Sequence, residues 1–498
     1  MEAIVDKING YVWNIPLVVL CLGAGVYFSI RTRFLQVRLI KDMVGQLFRG
    51  KSSKQGVSSF QGFAMALGGR VGTGNIAGVA TAIGVGGPGA LFWMWMIAFL
   101  GAGSAYIESA LAQVWKEEIG GVYRGGPAYY IEKGLGQKWY AVIFALITIL
   151  SCGILLPGIQ ANSIAVAFQG AFPKVAPWMS GLFVTLLLGL IIFGGVKRIG
   201  RTAELMVPFM AVGYVIMALV VVIIDFRRVP GMLALIFTSA VGKDAMFGGI
   251  LGSAILWGVK RGIFSNEAGQ GTGPQAAAAA EVPHPAKQGL VQAFSVYVDT
   301  LFVCTATGFM LLLTGMYNVA DGKGGFLVRN LLDTAGKPVE AGPLWTQAGI
   351  DTLFKGLGSY FVAVALFFFA FTTLMAYAFY TESNVAYLFK KKSNIMIPAA
   401  RIFLLAMTFF GAVRTAKLAW AMGDIGVGLM AWLNVIAILL LSKVGLATLK
   451  DYERQKREGV KELSFDPGSL GIRRAVLWTY IRKHPELDGI VGKDFGGE

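Results

Sequence analysis

The segment Gly68-Gly69-Arg70-Val71-Gly72-Thr73-Gly74-Asn75 interrupts an apolar run that extends from Phe60 to Val85. Each glycine lowers helix stability by about 1 kcal/mol relative to alanine. Several of them beside an arginine and a carboxamide predict a break, not a continuous helix. A broken helix frees N–H and C=O groups, and apolar surroundings tolerate these only where protein buries them or a cavity uses them. The chemistry on offer is binding. Backbone carbonyls and the Asn75 carboxamide suit a hard cation, and a half-helix N-terminus near Asn75 suits a carboxylate. Close packing of small residues is the plainer explanation, but it leaves Arg70 and Asn75 without a purpose. Gly72-x-Gly74 also has the form of part of a dinucleotide loop, without the strand–turn–helix frame that loop requires.

A second interruption, Ser265-Asn266-Glu267-Ala268-Gly269-Gln270-Gly271-Thr272-Gly273-Pro274, lies in another apolar stretch. Other polar residues occur at similar depth. Asp299 is an intramembrane acid, and such residues are functional candidates; it could ligate a coupling ion or neutralise Lys260 or Arg261. Arg70 could hold a substrate carboxylate or pair with a structural acid such as Glu108. Glu267 could cap the second break or pair with Lys260. Thr373 and Tyr377 are four residues apart, hence on one helix face, where they could line a pocket wall; alternatively Thr372 and Thr373 bond back to their own helix. Gln160 and Asn162 follow Pro157-Gly158 and need partners, of which a substrate is one.

The elements that position these groups follow from composition. The chain has 498 residues, of which 55% are hydrophobic and 14% charged, with a net charge of +16 and a mean hydropathy of +0.64. Soluble domains carry about 25% charged residues, so the solvent is expected to be a lipid bilayer and the fold an all-α polytopic bundle. The positive charge fits basic cytoplasmic loops better than nucleic acid, which is not expected as a partner. Cys21, Cys152 and Cys304 read as packing residues. The only histidines, His284 and His484, lie in polar segments. The N-terminus opens with Glu2 and Asp6 and lacks a basic leader region, so its first apolar run is expected to be retained.

At about 20 residues per crossing, the sequence predicts about eleven spans. They lie near Val12–Ile30, Phe60–Val85, Gly89–Trp115, Trp139–Phe168, Trp178–Val196, Glu204–Ile224, Phe247–Ala280, Gly289–Tyr317, Thr352–Phe389, Ile397–Val413 and Leu418–Leu441. The first is followed by Arg31, Arg33, Arg38, Lys41, Arg49, Lys51 and Lys54, which places that loop inside and the N-terminus outside. Alternation then puts Lys116–Lys138, Lys197–Arg201, Lys390-Lys391-Lys392 and the tail from Lys443 inside, and all are basic.

Beyond the first span the other ten divide into two sets of five, an odd number that inverts the second set, and each opens with an interrupted helix, the pattern of an inverted-topology repeat with a midplane site. The expected organisation is a peripheral N-terminal helix with its basic loop (1–55), a first repeat (56–230), a second repeat (231–445) and a cytoplasmic tail (446–498). The tail, with Arg473-Arg474 and Arg482-Lys483, reads as a surface segment able to lie on anionic lipid.

Several long motifs, in order from about Val57 to Ser442, resemble the alanine or glycine:cation symporter family, within the amino acid–polyamine–cation architecture. They are Val71-Gly72-Thr73-Gly74-Asn75-Ile76-Ala77-Gly78-Val79-Ala80, Gly125-Gly126-Pro127-Ala128-Tyr129-Tyr130-Ile131, Arg261-Gly262-Ile263-Phe264-Ser265-Asn266-Glu267-Ala268-Gly269 with the Ala276–Ala280 run, Gln288-Gly289 and Asp299-Thr300. The first is also similar to the unwound first core helix of the neurotransmitter:sodium symporters. The resemblance implies Na⁺ as coupling ion, with H⁺ as an alternative, and a small neutral amino acid as substrate. It implies substrate contacts from Gly72, Thr73, Asn75, Gln160, Phe264, Ser265, Thr373 and Tyr377. By the same resemblance Asn75 and Asp299 serve one ion, and Val71 with Thr372 and Thr373 another.

One position departs from the family. Where its members commonly have Gly-Trp after the threonine, this chain has Ala376-Tyr377, so the pocket wall changes and gains a hydroxyl. The expected protein is thus a non-enzymatic symporter of a prokaryotic inner membrane, functional as a monomer. An ion channel or membrane sensor with the same fold is the alternative. A membrane-embedded enzyme ranks below both, since HExxH and GxSxG patterns are missing from the sequence.

Overall fold

The computed structural model describes residues 2–48, 52–53 and 55–483. Arg49, Lys51, Lys54 and His484, invoked above for charge placement and composition, lie outside the described residues. The chain is mostly helical. Among the described residues, seven helices are long and apolar enough to cross a membrane: Gly89–Val114, Lys138–Ala171, Gly195–Ile224, Pro285–Thr314, Leu357–Leu388, Lys390–Ala412 and Lys417–Leu440. Ile15–Arg31 and Pro177–Ile192 are apolar but shorter.

Burial sorts the long helices. Of its most apolar stretch, 78% is buried in Leu357–Leu388 and 72% in Pro285–Thr314, against 33% in Gly195–Ile224 and 22% in Lys390–Ala412. The first two are therefore central. The last two are peripheral, and their large apolar side chains, such as Leu205, Phe209 and Ile402, face outward.

The two interrupted helices hold the middle. The first starts at a capping box, in which Ser58 Oγ accepts from Gln61 N and Gln61 Oε1 accepts from Ser58 N, both at 3.1 Å. It runs Ser59–Arg70, breaks, and resumes as a π-helical turn Gly74–Gly78 and an α-helix Val79–Gly86. The second runs Leu251–Asn266, breaks at 267–272, and resumes as Gly273–Ala279.

They lie antiparallel. Val57 N donates to Ala279 O at 3.0 Å and Glu281 N to Val57 O at 2.8 Å, tying the start of one to the end of the other. At the opposite end Ser253 Oγ donates to Val85 O at 3.0 Å. The breaks consequently meet mid-bundle, where a Cβ on Gly74 would lie 3.0 Å from the Phe264 ring and 3.2 Å from Ser265 Cα.

Two features are not foreseen in the sequence. Two-stranded hairpins pair Glu117–Ile119 with Val122–Arg124 and Asn318–Ala320 with Phe326–Arg329. The described part of the polar tail, up to residue 483, is also docked; the rest of it lies outside the described residues. Helix Ser442–Arg457 buries Leu446, Leu449 and Tyr452, Trp478 Nε1 donates to Gln113 O at 2.8 Å, and Trp115 Nε1 donates to Arg473 O at 3.0 Å. The buried Leu446, Leu449, Tyr452 and Trp478 are too sparsely spaced among charged residues to give a periodicity that shows this beforehand.

Candidate functional site

The first break is built from backbone. Val71, Gly72 and Thr73 lie between two helical pieces, and their polar groups must find partners elsewhere. Gly72 N donates to Asn75 Oδ1 at 2.8 Å, closing the turn locally. Thr73 N donates to Gln160 Oε1 at 3.1 Å, across to helix Leu156–Ala171. The Thr73 hydroxyl is buried without a partner among the described residues. Gly72 is a glycine for reasons of space: a Cβ there would run into Thr373 Oγ1 and lie 3.1 Å from Gln160 Oε1.

One oxygen cluster centres on Asp299. Its carboxylate accepts from Asn75 Nδ2 at 2.6 Å, Ser265 Oγ at 3.0 and 3.1 Å, and Thr300 Oγ1 at 2.6 Å. Asp299 sits in a π-helical stretch, Tyr297–Cys304, and π-bulges are frequent at functional sites. Cys304, read above as packing, lies 3.3 Å from Asn75 Nδ2 and 3.2 Å from Ser265 Oγ, so it belongs to this cluster.

A second cluster contains only neutral oxygens. Thr373 Oγ1 donates to Gly68 O at 2.9 Å and lies 3.5 Å from Val71 O. Thr372 Oγ1 lies 3.3 Å from Gly68 O. Both hydroxyls also bond back to Phe369 O, at 2.9 and 3.0 Å. The threonines thus bond back to their own helix and also reach the break.

Phe264 and Tyr377 complete the surroundings. The Phe264 ring lies 5.0 Å from that of Trp420, and Tyr377 is buried one helical turn beyond Thr373. Above them Arg261 forms a bidentate pair with Asp424 at 2.7 and 2.9 Å, and Lys260 adds a contact to the same acid at 2.7 Å. A cavity of about 470 Å³ opens over this pair, lined by Trp257, Trp420, Lys417 and Glu340 among others.

Several alternatives raised by the sequence resolve here. Lys260 and Arg261 are neutralised by Asp424, not by Asp299 or Glu267. Asp424 was missed, although an acid within Leu418–Leu441 meets the same rule that singled out Asp299. Glu267 caps helix Leu251–Asn266 through its backbone, at φ 55° with its N–H on Ile263 O. Arg70 is not paired with Glu108. It donates to Gln292 O at 3.2 Å, Gln292 Oε1 at 3.1 Å and Ser295 Oγ, while Glu108 accepts from Gly269 N at 3.1 Å and Asn434 Nδ2 at 2.7 Å. Asn162 Nδ2 donates to Arg414 O at 2.6 Å.

Residues 1–467 match the sodium:alanine symporter family. Over 485 residues the chain is 57% identical to the putative sodium/proton-dependent alanine carrier protein YrbD of Bacillus subtilis (strain 168), covering 97% of this chain and 99% of that protein. It is 44% identical over 461 residues to the probable sodium/glutamine symporter GlnT of the same organism, covering 92% of each. Its fold is similar to that of MhsT, whose crystal structure is in complex with L-phenylalanine, at a TM-score of 0.56 and 14% identity, covering 88% of this chain and 100% of that one. Match length and identity agree with the motifs at both breaks: the chain belongs to the sodium:alanine symporter family.

Proposed function

We propose that the chain is a secondary active symporter that couples inward Na⁺ movement to uptake of a small neutral amino acid. The observation that carries this is the convergence of two oxygen clusters, one with a single carboxylate and one neutral, on the same helix break. Asn75 and Asp299 would hold one Na⁺, and Val71 O, Thr372 and Thr373 another. The amino acid would lie between them, its carboxylate on the backbone at Gly72 and Thr73, with Asn75, Gln160, Phe264, Ser265, Thr373 and Tyr377 around it. A zwitterion brings no net charge, so each Na⁺ moving inward gains about 2.3 kcal/mol per 100 mV of membrane potential.

Seven long helices, two shorter apolar ones and the two broken ones would make about eleven crossings. The antiparallel setting of the broken helices supports an inverted repeat over 56–230 and 231–445, with the N-terminus outside and the tail inside a prokaryotic inner membrane. Alternating access would then be a rocking of one bundle against the other about a fixed site. Phe264 on Trp420 and the Arg261–Asp424 pair would close the outer side. The protein would work as a monomer.

H⁺ is the second candidate for coupling, since the relative YrbD is named sodium/proton-dependent. Uptake of labelled alanine into proteoliposomes, under an inward Na⁺ gradient, an inward proton gradient, or neither, separates these. Accumulation above the bath under Na⁺ alone is the expected result. Accumulation only under the proton gradient would move the coupling to H⁺. Equilibration without accumulation under every gradient would leave a facilitator or channel. Glycine, serine and glutamine as competitors would rank the pocket, because Tyr377 alters its wall and GlnT is named for glutamine.

A further inference from the structure

A cavity of about 590 Å³ opens at the end of the bundle that also carries the docked tail, far from the helix breaks. Helix Lys138–Leu150 begins beside it, helix Leu357–Leu388 ends there, and helix Ser393–Ala412 starts just beyond. Lys138, Lys390, Lys391 and Lys392 line it, against a single acid, Glu132.

That acid accepts from the hydroxyl of Tyr387, another wall residue, at 2.6 Å and offsets only one of the four lysines. Lys390 is partly neutralised by Glu117 at 2.7 Å, an acid it shares with Lys133. Lys138, Lys391 and Lys392 are exposed, and none forms an ion pair with a carboxylate of the described residues. The cavity therefore holds an excess of positive charge. Two spanning helices begin at its rim and a third ends there, so their dipoles largely offset and the excess comes from the lysine side chains.

Its walls are not those of a water-filled cleft. Val142 and Leu388 contribute apolar surface inside. Trp139 and Ile395 beside it are about two-thirds exposed, at 64% and 65%. Outward-facing aromatic and aliphatic side chains next to lysines mark the level of the lipid headgroups. Basic pockets between helices at that level are suited to an anionic lipid headgroup. A general excess of lysine in loops requires neither a cavity nor an apolar wall.

We propose that this cavity binds the phosphodiester headgroup of an anionic phospholipid, with Lys138, Lys391 and Lys392 on the phosphate and Val142 and Leu388 against the glycerol and first methylenes. The inference rests on the membrane reading above but not on the identity of the transported solute. Its readout is lipid binding, so failure of the uptake assay leaves it untouched, and its own failure leaves symport untouched.

The test is a melting-temperature titration of the purified full chain in neutral detergent. Phosphatidylglycerol, phosphatidylcholine with the same acyl chains, and inorganic phosphate are added separately. Phosphatidylglycerol alone should raise Tm in a saturable way. Lys138→Gln with Lys391→Gln and Lys392→Gln should weaken its apparent affinity by about fivefold per lysine, roughly 100-fold together. The charge-keeping Lys→Arg triple should bind normally, as should Lys323→Gln with Lys337→Gln and Lys355→Gln, which lie elsewhere on the surface.

Equal stabilisation by phosphatidylcholine, stabilisation by inorganic phosphate alone, or undiminished affinity in the Gln triple would overturn the proposal. Native mass spectrometry of the unaltered chain gives a reading that needs no variant. A phosphatidylglycerol adduct retained in preference to phosphatidylcholine supports the site, and no preference counts against it.

Discussion

The two helix breaks both depend on glycine, for different physical reasons. In the first, Gly72 has no left-handed backbone, and its missing side chain makes room for Thr373 and Gln160 to approach the chain. In the second, Gly269 and Gly271 adopt φ of 80° and 87°, a conformation that costs other residues roughly 1–2 kcal/mol. In the second break the backbone of Gly269 is met by fixed partners, its N–H by Glu108 at 3.1 Å and its C=O by Asn434 at 2.9 Å. The polar groups of the first break turn toward side chains that themselves can serve a ligand. One break is shaped for approach and the other for support, although their sequences look alike.

That contrast can be tested from its strongest consequence downward. Gly72→Ala is expected to reduce uptake by about 5- to 150-fold, with the roughly 1–3 kcal/mol of overpacking falling on the ligand-bound form, so that Tm of the free protein changes little. A large loss of Tm with normal uptake in the surviving protein would assign Gly72 to support instead.

Asp299→Asn keeps the side-chain shape and removes the charge. Its Na⁺ half-saturation should rise at least about tenfold, since hydrogen bonds to charged groups are worth about 1.5–3 kcal/mol. Unchanged Na⁺ dependence would take Asp299 out of the ion site.

Gly269→Ala should do the opposite of Gly72→Ala. The expected cost is about 1–2 kcal/mol of stability from the left-handed backbone, with substrate and Na⁺ affinities retained. Loss of affinity at normal Tm would erase the distinction between the breaks.

The smallest effect is at the docked tail, distant from both breaks. His284 Nδ1 accepts from Ala286 N at 3.1 Å, capping helix Pro285–Val296, and Nε2 lies 3.1 Å from Asp451 Oδ2. An Nδ1 that accepts from a backbone N–H carries no proton, so the ring is neutral. Burial holds the imidazole below its ordinary value of 6.5, against the opposing pull of Asp451. Burial alone would lift the Asp451 carboxyl, but bonds from His284, Arg454 and Gln455 outweigh it and hold it at about 2. Asp451 therefore stays ionised through the range in which His284 titrates.

A base whose pKa is depressed on folding gives stability that is complete above its unfolded value and is lost as pH falls through the folded one. Hydrogen-exchange protection factors across Ser442–Arg457, which divide out the intrinsic pH dependence of amide exchange, should fall modestly between pH 7.5 and 5.5, by about 1 kcal/mol or less, comparable to a lost cap. His284→Asn should flatten that dependence. An unchanged slope in this variant would place the acid sensitivity elsewhere.

Much of this was readable from residue order. Spanning helices follow from long apolar runs because lipid leaves the backbone no alternative partner, and the observed helices fall within a few residues of the expected spans at Gly89–Val114, Leu357–Leu388 and Lys417–Leu440. Glycine clusters inside such runs signal breaks for the same reason. The grouping of Asn75 with Asp299, and of Val71 with Thr372 and Thr373, was implied by resemblance; the geometry brings Asn75 to Asp299 and Thr373 to Val71 O, while Thr372 meets Gly68 O instead. What remained hidden involves pairs distant in sequence. Arg70 selects Gln292 and Ser295 over Glu108, and Lys260 and Arg261 select Asp424 over Asp299. Charge alone made each of these acids an acceptable partner.

The sequence by itself determined the solvent, the helices, the places where they break and the family, because each depends on local composition or on contiguous motifs. Only the tertiary structure decided which buried charges neutralise one another, that one break gives approach and the other support, and that the polar tail is docked. Those outcomes depend on which side chains the antiparallel packing brings within about 3 Å, the range over which a hydrogen bond or ion pair is made.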